Sequence, residues 1–167
     1  MTDELFQWSE AFEVANTMRL MLEPHCEQIL VVGSLRRQCL TVHDIDIVLC
    51  PKPGELQGFV SFDLQRILGD SWQWIKGKSK IVNGRTAGIP IDLYFATPQN
   101  WWTLVVIRTG SKGHNIRLCS RAKALGMKLH ADGSGIDLDD GTLFMPQSEE
   151  DIFQKLQLDY VEPNDRK

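Results

Sequence analysis

Ile29-Leu30-Val31-Val32-Gly33-Ser34-Leu35-Arg36-Arg37, followed after a short gap by Asp44-Ile45-Asp46-Ile47-Val48-Leu49, is the stretch from which the fold is read. An apolar run that stops at glycine-serine reads as a short buried strand and its turn. The second run alternates and then becomes wholly apolar, as a strand does when part of one face carries polar groups. Pro51-Lys52-Pro53-Gly54 closes it. Alternate residues of a strand share a face, so Asp44 and Asp46 present paired carboxylates. A third apolar run, Ile89 to Phe95, carries Asp92. If that strand lies beside the second, three carboxylates converge. Close carboxylates repel, and the usual remedy is a divalent cation. Two such ions can hold the attacking and leaving oxygens of an in-line phosphoryl displacement. Gly33-Ser34 offers free backbone N–H groups and a hydroxyl, and Arg37 can fork onto phosphate oxygens. A glycine-serine turn or a lone Asp-x-Asp is common by itself; the two together with a third strand-borne aspartate are far more specific.

Outward from this centre, residues 3–22 read as an amphipathic helix with Leu5, Trp8, Phe12, Ala15, Met18 and Leu22 on one stripe. Thr2 would cap it and Pro24 stop it. Glu55 to Leu68 has the period of a second helix. Asn83-Gly84 between two strand-like runs is a two-residue hairpin signal. Thr97 as N-cap and Pro98 in the first turn would open a helix through Ile107. After Thr109-Gly110-Ser111 a further helix runs to Gly126. Short strands follow around 127–129, 136–138 and 143–144, and Ser148 caps a last helix to about Leu156. The reading is α+β in two lobes, 1–100 and 101–167, with the change of character near 97–108.

The 167 residues are 43% hydrophobic and 24% charged, which excludes a mainly disordered, collagenous or coiled-coil chain. No apolar run approaches the ~18 residues of a membrane span. The acidic start, Met1-Thr2-Asp3-Glu4, argues against a leader and for a cytoplasmic location. Four scattered cysteines lack any CxxC pair or zinc spacing and read as reduced thiols. The net charge of −4 hides a strong segregation. Arg108 to Lys128 holds six bases and no acid, and Ser71 to Ile91 holds Lys76, Lys78, Lys80 and Arg85 and no acid. Such patches can bind a polyanion locally, because screening limits distant charges to ~10 Å. On composition alone, a solvated charged face explains them as well.

The chain resembles the family X DNA polymerases, the DNA polymerase beta-like branch of the nucleotidyltransferases. The resemblance rests on Gly33-Ser34, Arg37, Asp44-x-Asp46 and Asp92 in a palm, and on three stretches in a thumb. These are Arg108-Thr109-Gly110-Ser111-Lys112-Gly113-His114-Asn115, Arg121 to Leu129, and Glu149-Glu150-Asp151-Ile152-Phe153. Tyr160 to Arg166 matches the end of the thumb. The palm motif alone fits many nucleotidyltransferases; the thumb motif discriminates.

The resemblance implies a nucleotidyltransferase palm with a mixed sheet, followed by a small α/β thumb. It implies a Mg²⁺-dependent, template-directed DNA polymerase for short gaps or repair, with two ions and Mn²⁺ as an alternative. Asp44 and Asp46 would hold both ions and Asp92 would complete the catalytic-metal site. Gly33, Ser34 and Arg37 would bind the triphosphate of a dNTP, Gly110 and Ser111 would meet its sugar, and Asn115, with Lys112 beside it, its base edge. Primer-template or gapped DNA would be met by Lys78, Lys80, Arg85, Arg108, Arg117, Arg121 and Lys128. His114 reads equally as part of this motif or as a surface histidine. Trp72, Trp74, Trp101 and Trp102 read as core or rim residues before base-stacking ones.

The chain departs from the beta-type pattern in three places. Ile107-Arg108 stands where an aromatic pair precedes Thr-Gly-Ser, which predicts weaker rejection of ribonucleotides. Pro90 stands where polymerase beta has an arginine. Nothing corresponds to a lyase domain or helix-hairpin-helix fingers. A monomeric minimal enzyme without a membrane partner is therefore expected, of the kind seen in viral, phage or bacterial members. A nucleotidyltransferase acting on a small molecule, protein or RNA is the alternative, and a DNA-binding module with a dead site is the non-enzymatic one.

Overall fold

Alternation along paired strands sets the layering of the first of two units, Met1–Ala96; the second is Thr97–Lys167. The computed structural model describes residues 4–56, 60–78 and 81–167. In chain order the first unit contains β1 (Phe6–Gln7), α1 (Trp8–Leu22), β2 (Cys26–Val31), α2 (Gly33–Arg36), β3 (Thr41–Val42) and β4 (Ile45–Pro51). It continues with α3 (Val60–Leu68), β5 (Gln73–Lys78), β6 (Ile81–Thr86) and β7 (Ile89–Phe95). The main sheet has the order β2-β4-β7-β6-β5, with β4 and β7 parallel and the other neighbours antiparallel. A parallel pair needs a long crossover, and α3 with the β5–β6 ribbon supplies it.

Ile45, Ile47 and Leu49 of β4 and Ile89, Ile91 and Leu93 of β7 are buried with α1 and α3. The residues between them, Asp46 and Asp92, therefore lie on the other face of the sheet. Helix α1 contributes Ala11, Ala15, Met18 and Leu22 to the core, a stripe at steps of four and three. Ala15, Met18 and Leu22 are as expected, and Ala11 takes the place expected for Phe12. Phe12 is 42% exposed and stacks on Trp8 instead, with ring centroids 4.7 Å apart. The helix also begins later than its period suggests. Phe6 and Gln7 pair with Val42 and Thr41, and the Trp8 N–H donates to the Leu40 carbonyl, so the chain stays extended through Gln7. The expected cap, Thr2, lies outside the described residues.

The expected hairpin turn at Asn83-Gly84 is corrected by the structure. Both residues sit inside β6, and the turn into β7 is Ala87-Gly88, with φ of 50° and 81°. Left-handed conformation at two successive positions suits a tight hairpin. Gly84 serves packing instead: a Cβ there would overlap the indole of Trp72, which is buried in the core. A helix from Glu55 is observed from Val60, with 57–59 outside the described residues.

The second unit contains α4 (Trp101–Thr109), α5 (Lys112–Ala124), β8 (Lys128–Leu129), β9 (Ile136–Asp137), β10 (Leu143–Phe144) and α6 (Glu149–Lys155). Helix α4 starts at Trp101 rather than at Pro98. The Asn100 side chain accepts from the Thr97 N–H at 2.7 Å, which holds Pro98 in a turn before the helix. Ser111 and Ser148 cap α5 and α6, accepting from the N–H groups of His114 and Asp151. The core joins Val106, Ile107, Leu118, Ile136, Ile152 and Phe153.

An ion pair lies inside this unit. Arg166, 1% exposed, donates to Glu149 Oε1 at 3.0 Å and to the Val161 carbonyl at 2.9 Å. Its guanidinium lies over the rings of Phe153 and Tyr160, and the Tyr160 hydroxyl donates to Glu149 Oε2 at 3.3 Å. His114 is buried rather than superficial, 2% exposed, with its ring 5.7 Å from that of Phe153.

All four cysteines are free thiols. Burial pushes Cys26 up to about 12 and also raises Cys50 and Cys119, so these thiols are poor nucleophiles. No helix among the described residues is long and apolar enough to cross a membrane.

Burial first, then the nearby Arg166 and Arg117 charges, push His114 down to about 4. A base whose folded-state value is depressed stabilises the fold fully above its unfolded value near 6.5. That stability is lost as pH falls from there towards 4, because only the unfolded chain takes up the proton readily. Over pH 7 to 4.5 the loss from this one group is on the order of 2–3 kcal/mol. Urea unfolding of wild type and His114→Phe at both pH values is expected to show that difference, with the variant losing less. Equal acid sensitivity in the two proteins would refute it.

Candidate functional site

The register of β4 and β7 sets Asp46 directly beside Asp92. Asp44 stands one residue before β4 begins. The three carboxylates, all half-buried, each offer an oxygen within 4.8 Å of the others. Burial, and next the negative charge of Asp92, hold the Asp44 carboxyl above the usual carboxylate range; His43 and Arg37 pull it the other way. Oxygen-only donors of this kind suit hard divalent ions such as Mg²⁺ or Mn²⁺, so the residues fit the cation that the pattern implies.

Gly33 opens α2 with φ of 63°, and a Cβ at this position would overlap the Asp46 carboxylate. The glycine is thus required both by its backbone conformation and by the close approach of an acid. The adjoining Val32 N–H donates to the Asp46 carbonyl at 2.8 Å, tying the turn to β4. Ser34 lies within α2, and Arg37 follows it, near enough to Asp44 to lower its carboxyl.

Two residues at the triad were not among the expected site residues. The Tyr94 hydroxyl is 3.1 Å from Asp46 Oδ1 and 3.2 Å from Asp92 Oδ2. Asn83 Nδ2 donates to Asp92 Oδ1 across the β6–β7 pair. Tyr94 was findable, since Asp92 and Tyr94 are two apart on one strand. Asn83 was hidden by the turn-like dipeptide it belongs to.

The remaining expected residues are placed as follows. In the second unit, Gly110 ends α4 with φ of 70°, and the Gly110–Ser111 peptide is cis. The Ser111 oxygen is the α5 cap, and Lys112 is exposed in the first turn. Asn115 Nδ2 donates to the Ile107 carbonyl at 2.7 Å. Arg117 donates to the Lys167 carbonyl at 2.6 Å, while Arg121 donates to the Leu156 carbonyl and to Gln157. Arg108 reaches the Asp132 carbonyl at 3.5 Å, and Lys128 is exposed on β8. In the first unit, the Arg85 guanidinium donates to the Gly88 carbonyl of its own hairpin. Lys78 ends β5, and Lys80 lies outside the described residues.

Residues 104–167 match the family model of the DNA polymerase beta thumb. The match supports a relationship of this chain to the family X polymerases and, with it, a DNA-binding, polymerase-like role. No curated protein matches the sequence.

Gly33→Ala is expected to destabilise the protein by about 1–3 kcal/mol, combining a strained φ with overlap at Asp46. Asp46→Ala removes the overlap but not the strain, so the double variant should recover part of the loss. Additive losses in a urea double-mutant cycle would show that Gly33 and Asp46 do not share that space.

Proposed function

We propose that this chain is a template-directed DNA polymerase that joins dNMP from a dNTP to a primer 3′-hydroxyl, filling short gaps in repair. The observation that carries the reading is the presence, in one chain, of a convergent aspartate triad and a polymerase-beta-type thumb sequence. Asp44, Asp46 and Asp92 would hold two Mg²⁺ ions, or Mn²⁺ in their place, with Asp92 completing the site of the catalytic ion. Bound ions supply charge neutralisation and alignment of phosphate oxygens. Arg37 and the Ser34 hydroxyl donate to the triphosphate. Gly110 and Ser111 meet the sugar. Asn115 has one amide N–H committed to Ile107, and offers its other N–H to the base edge.

Exposed Lys112 and Lys128 meet DNA phosphates, joined by Arg108 and by donors that Arg117 and Arg121 retain beyond their bonds to carbonyls. Lys78, Lys80 and Arg85 are proposed to meet DNA phosphates as well. Ile107 is packed in the core of the second unit, so crowding of a ribose 2′-hydroxyl falls to backbone carbonyls and not to this side chain. Tyrosine at position 107 would overpack that core rather than build a sugar gate.

Primer extension on gapped and on template-free DNA tests the reading. Wild type is expected to extend gapped DNA with Mg²⁺ or Mn²⁺. Asp92→Ala is expected to lose at least ~100-fold in rate, the equivalent of a few kcal/mol of transition-state stabilisation. No incorporation with either ion would overturn the polymerase. Template-independent addition would make the chain a terminal transferase. Labelling of a non-DNA acceptor without DNA extension would favour the wider nucleotidyltransferase class, with which the first unit's motif is equally compatible.

A further inference from the structure

Two features around the triad go beyond holding a cation. Asp92 has a neutral donor at each oxygen: Asn83 at Oδ1 and Tyr94 at Oδ2. Tyr94 also reaches Asp46, the carboxylate on the neighbouring strand. Its distances to the two acids, 3.1 and 3.2 Å, are nearly equal, and both are longer than an undivided O–H···O⁻ bond. That is the geometry of one proton shared between two acceptors. The ring is 7% exposed, so packing holds the hydroxyl where it is.

We infer that Tyr94 is a positioning residue that sets the spacing of Asp46 and Asp92 and so raises the affinity of the triad for a divalent cation. The inference rests on the triad being a cation site. Without the bridge, two anions on adjacent strands lower their repulsion by rotating apart, and a cation must then draw them back before it is fully coordinated. With the bridge, that reorganisation is made during folding. Each carboxylate oxygen has a second lone pair, so accepting from Tyr94 does not prevent coordination. Tyr94 itself makes no bond to the ion or to the reacting atoms.

The test is Mn²⁺ binding to the full chain, read from the electron paramagnetic resonance signal of the free ion, for wild type, Tyr94→Phe and Asp92→Asn. Removal of a hydrogen-bond partner behind metal-binding carboxylates typically costs 10–100-fold in affinity. Tyr94→Phe is expected to raise the Mn²⁺ Kd by about 10-fold or more. The rise in Tm on adding Mn²⁺, taken against each protein's own baseline in EDTA, should shrink in parallel, so that a general loss of stability does not imitate the effect. Wild-type binding that Asp92→Asn abolishes and Tyr94→Phe leaves within twofold, or tightens, would overturn the role of Tyr94 while leaving the cation site standing. Absence of Mn²⁺ binding by wild type would overturn both.

Discussion

Parallel pairing of β4 with β7, in the register that sets Asp46 beside Asp92, is the constraint on which the first unit depends. The same register buries Ile45, Ile47, Leu49, Ile89, Ile91 and Leu93 on the opposite face. Slipping either strand by one residue would expose the aliphatic set and bury the acids. The balance of magnitudes explains why the acids tolerate each other. Two like charges at ~4 Å cost about 1–4 kcal/mol in surroundings between water and a protein surface. Each buried aliphatic side chain contributes about 1.5–3 kcal/mol, and six of them depend on this pairing. The apolar face therefore dictates the register, and the carboxylates are carried into proximity by it.

What surrounds the triad limits that cost further. Gly33 lets the backbone approach Asp46, Val32 ties the turn to the same strand, and Asn83 and Tyr94 place neutral donors against the carboxylates. Neutral donors soften repulsion without cancelling the negative charge. A buried lysine or arginine at those positions would cancel it and compete with any cation. Burial first, and then the charge of Asp92, raise the Asp44 carboxyl.

The second unit is organised around a different interaction, the buried Glu149–Arg166 pair between aromatic rings. Removing one partner of such a pair typically costs about 3–5 kcal/mol, because the other charge is left buried. The Arg166 carbonyl accepts from the Ser111 N–H, and Arg117 and Arg121 donate to carbonyls of the C-terminal segment. The basic stretch is therefore partly structural. Some of its charge holds the segment against α5, and the exposed lysines carry the rest.

The sequence by itself determined the α+β character, most helices and strands, the cap Ser148, and the aspartates that converge. These are local signals, readable from period, punctuation and residue type within a few positions. Tertiary structure alone decided where locally ambiguous segments fell. Asn83-Gly84 has turn chemistry, yet pairing with β7 and packing of Trp72 hold it in a strand. Phe6-Gln7 falls within the expected helix, yet β3 captures it. His114 reads equally in sequence as a motif residue or a surface one, yet Phe153 and Arg166 bury it from about 40–50 positions away. The second hydrogen-bond partner of Tyr94, Asp46, also lies on another strand, placed there by a pairing that no short window of sequence contains. Contacts between residues distant in the chain exist only once the chain has closed, and their energies then outweigh the weaker local preferences.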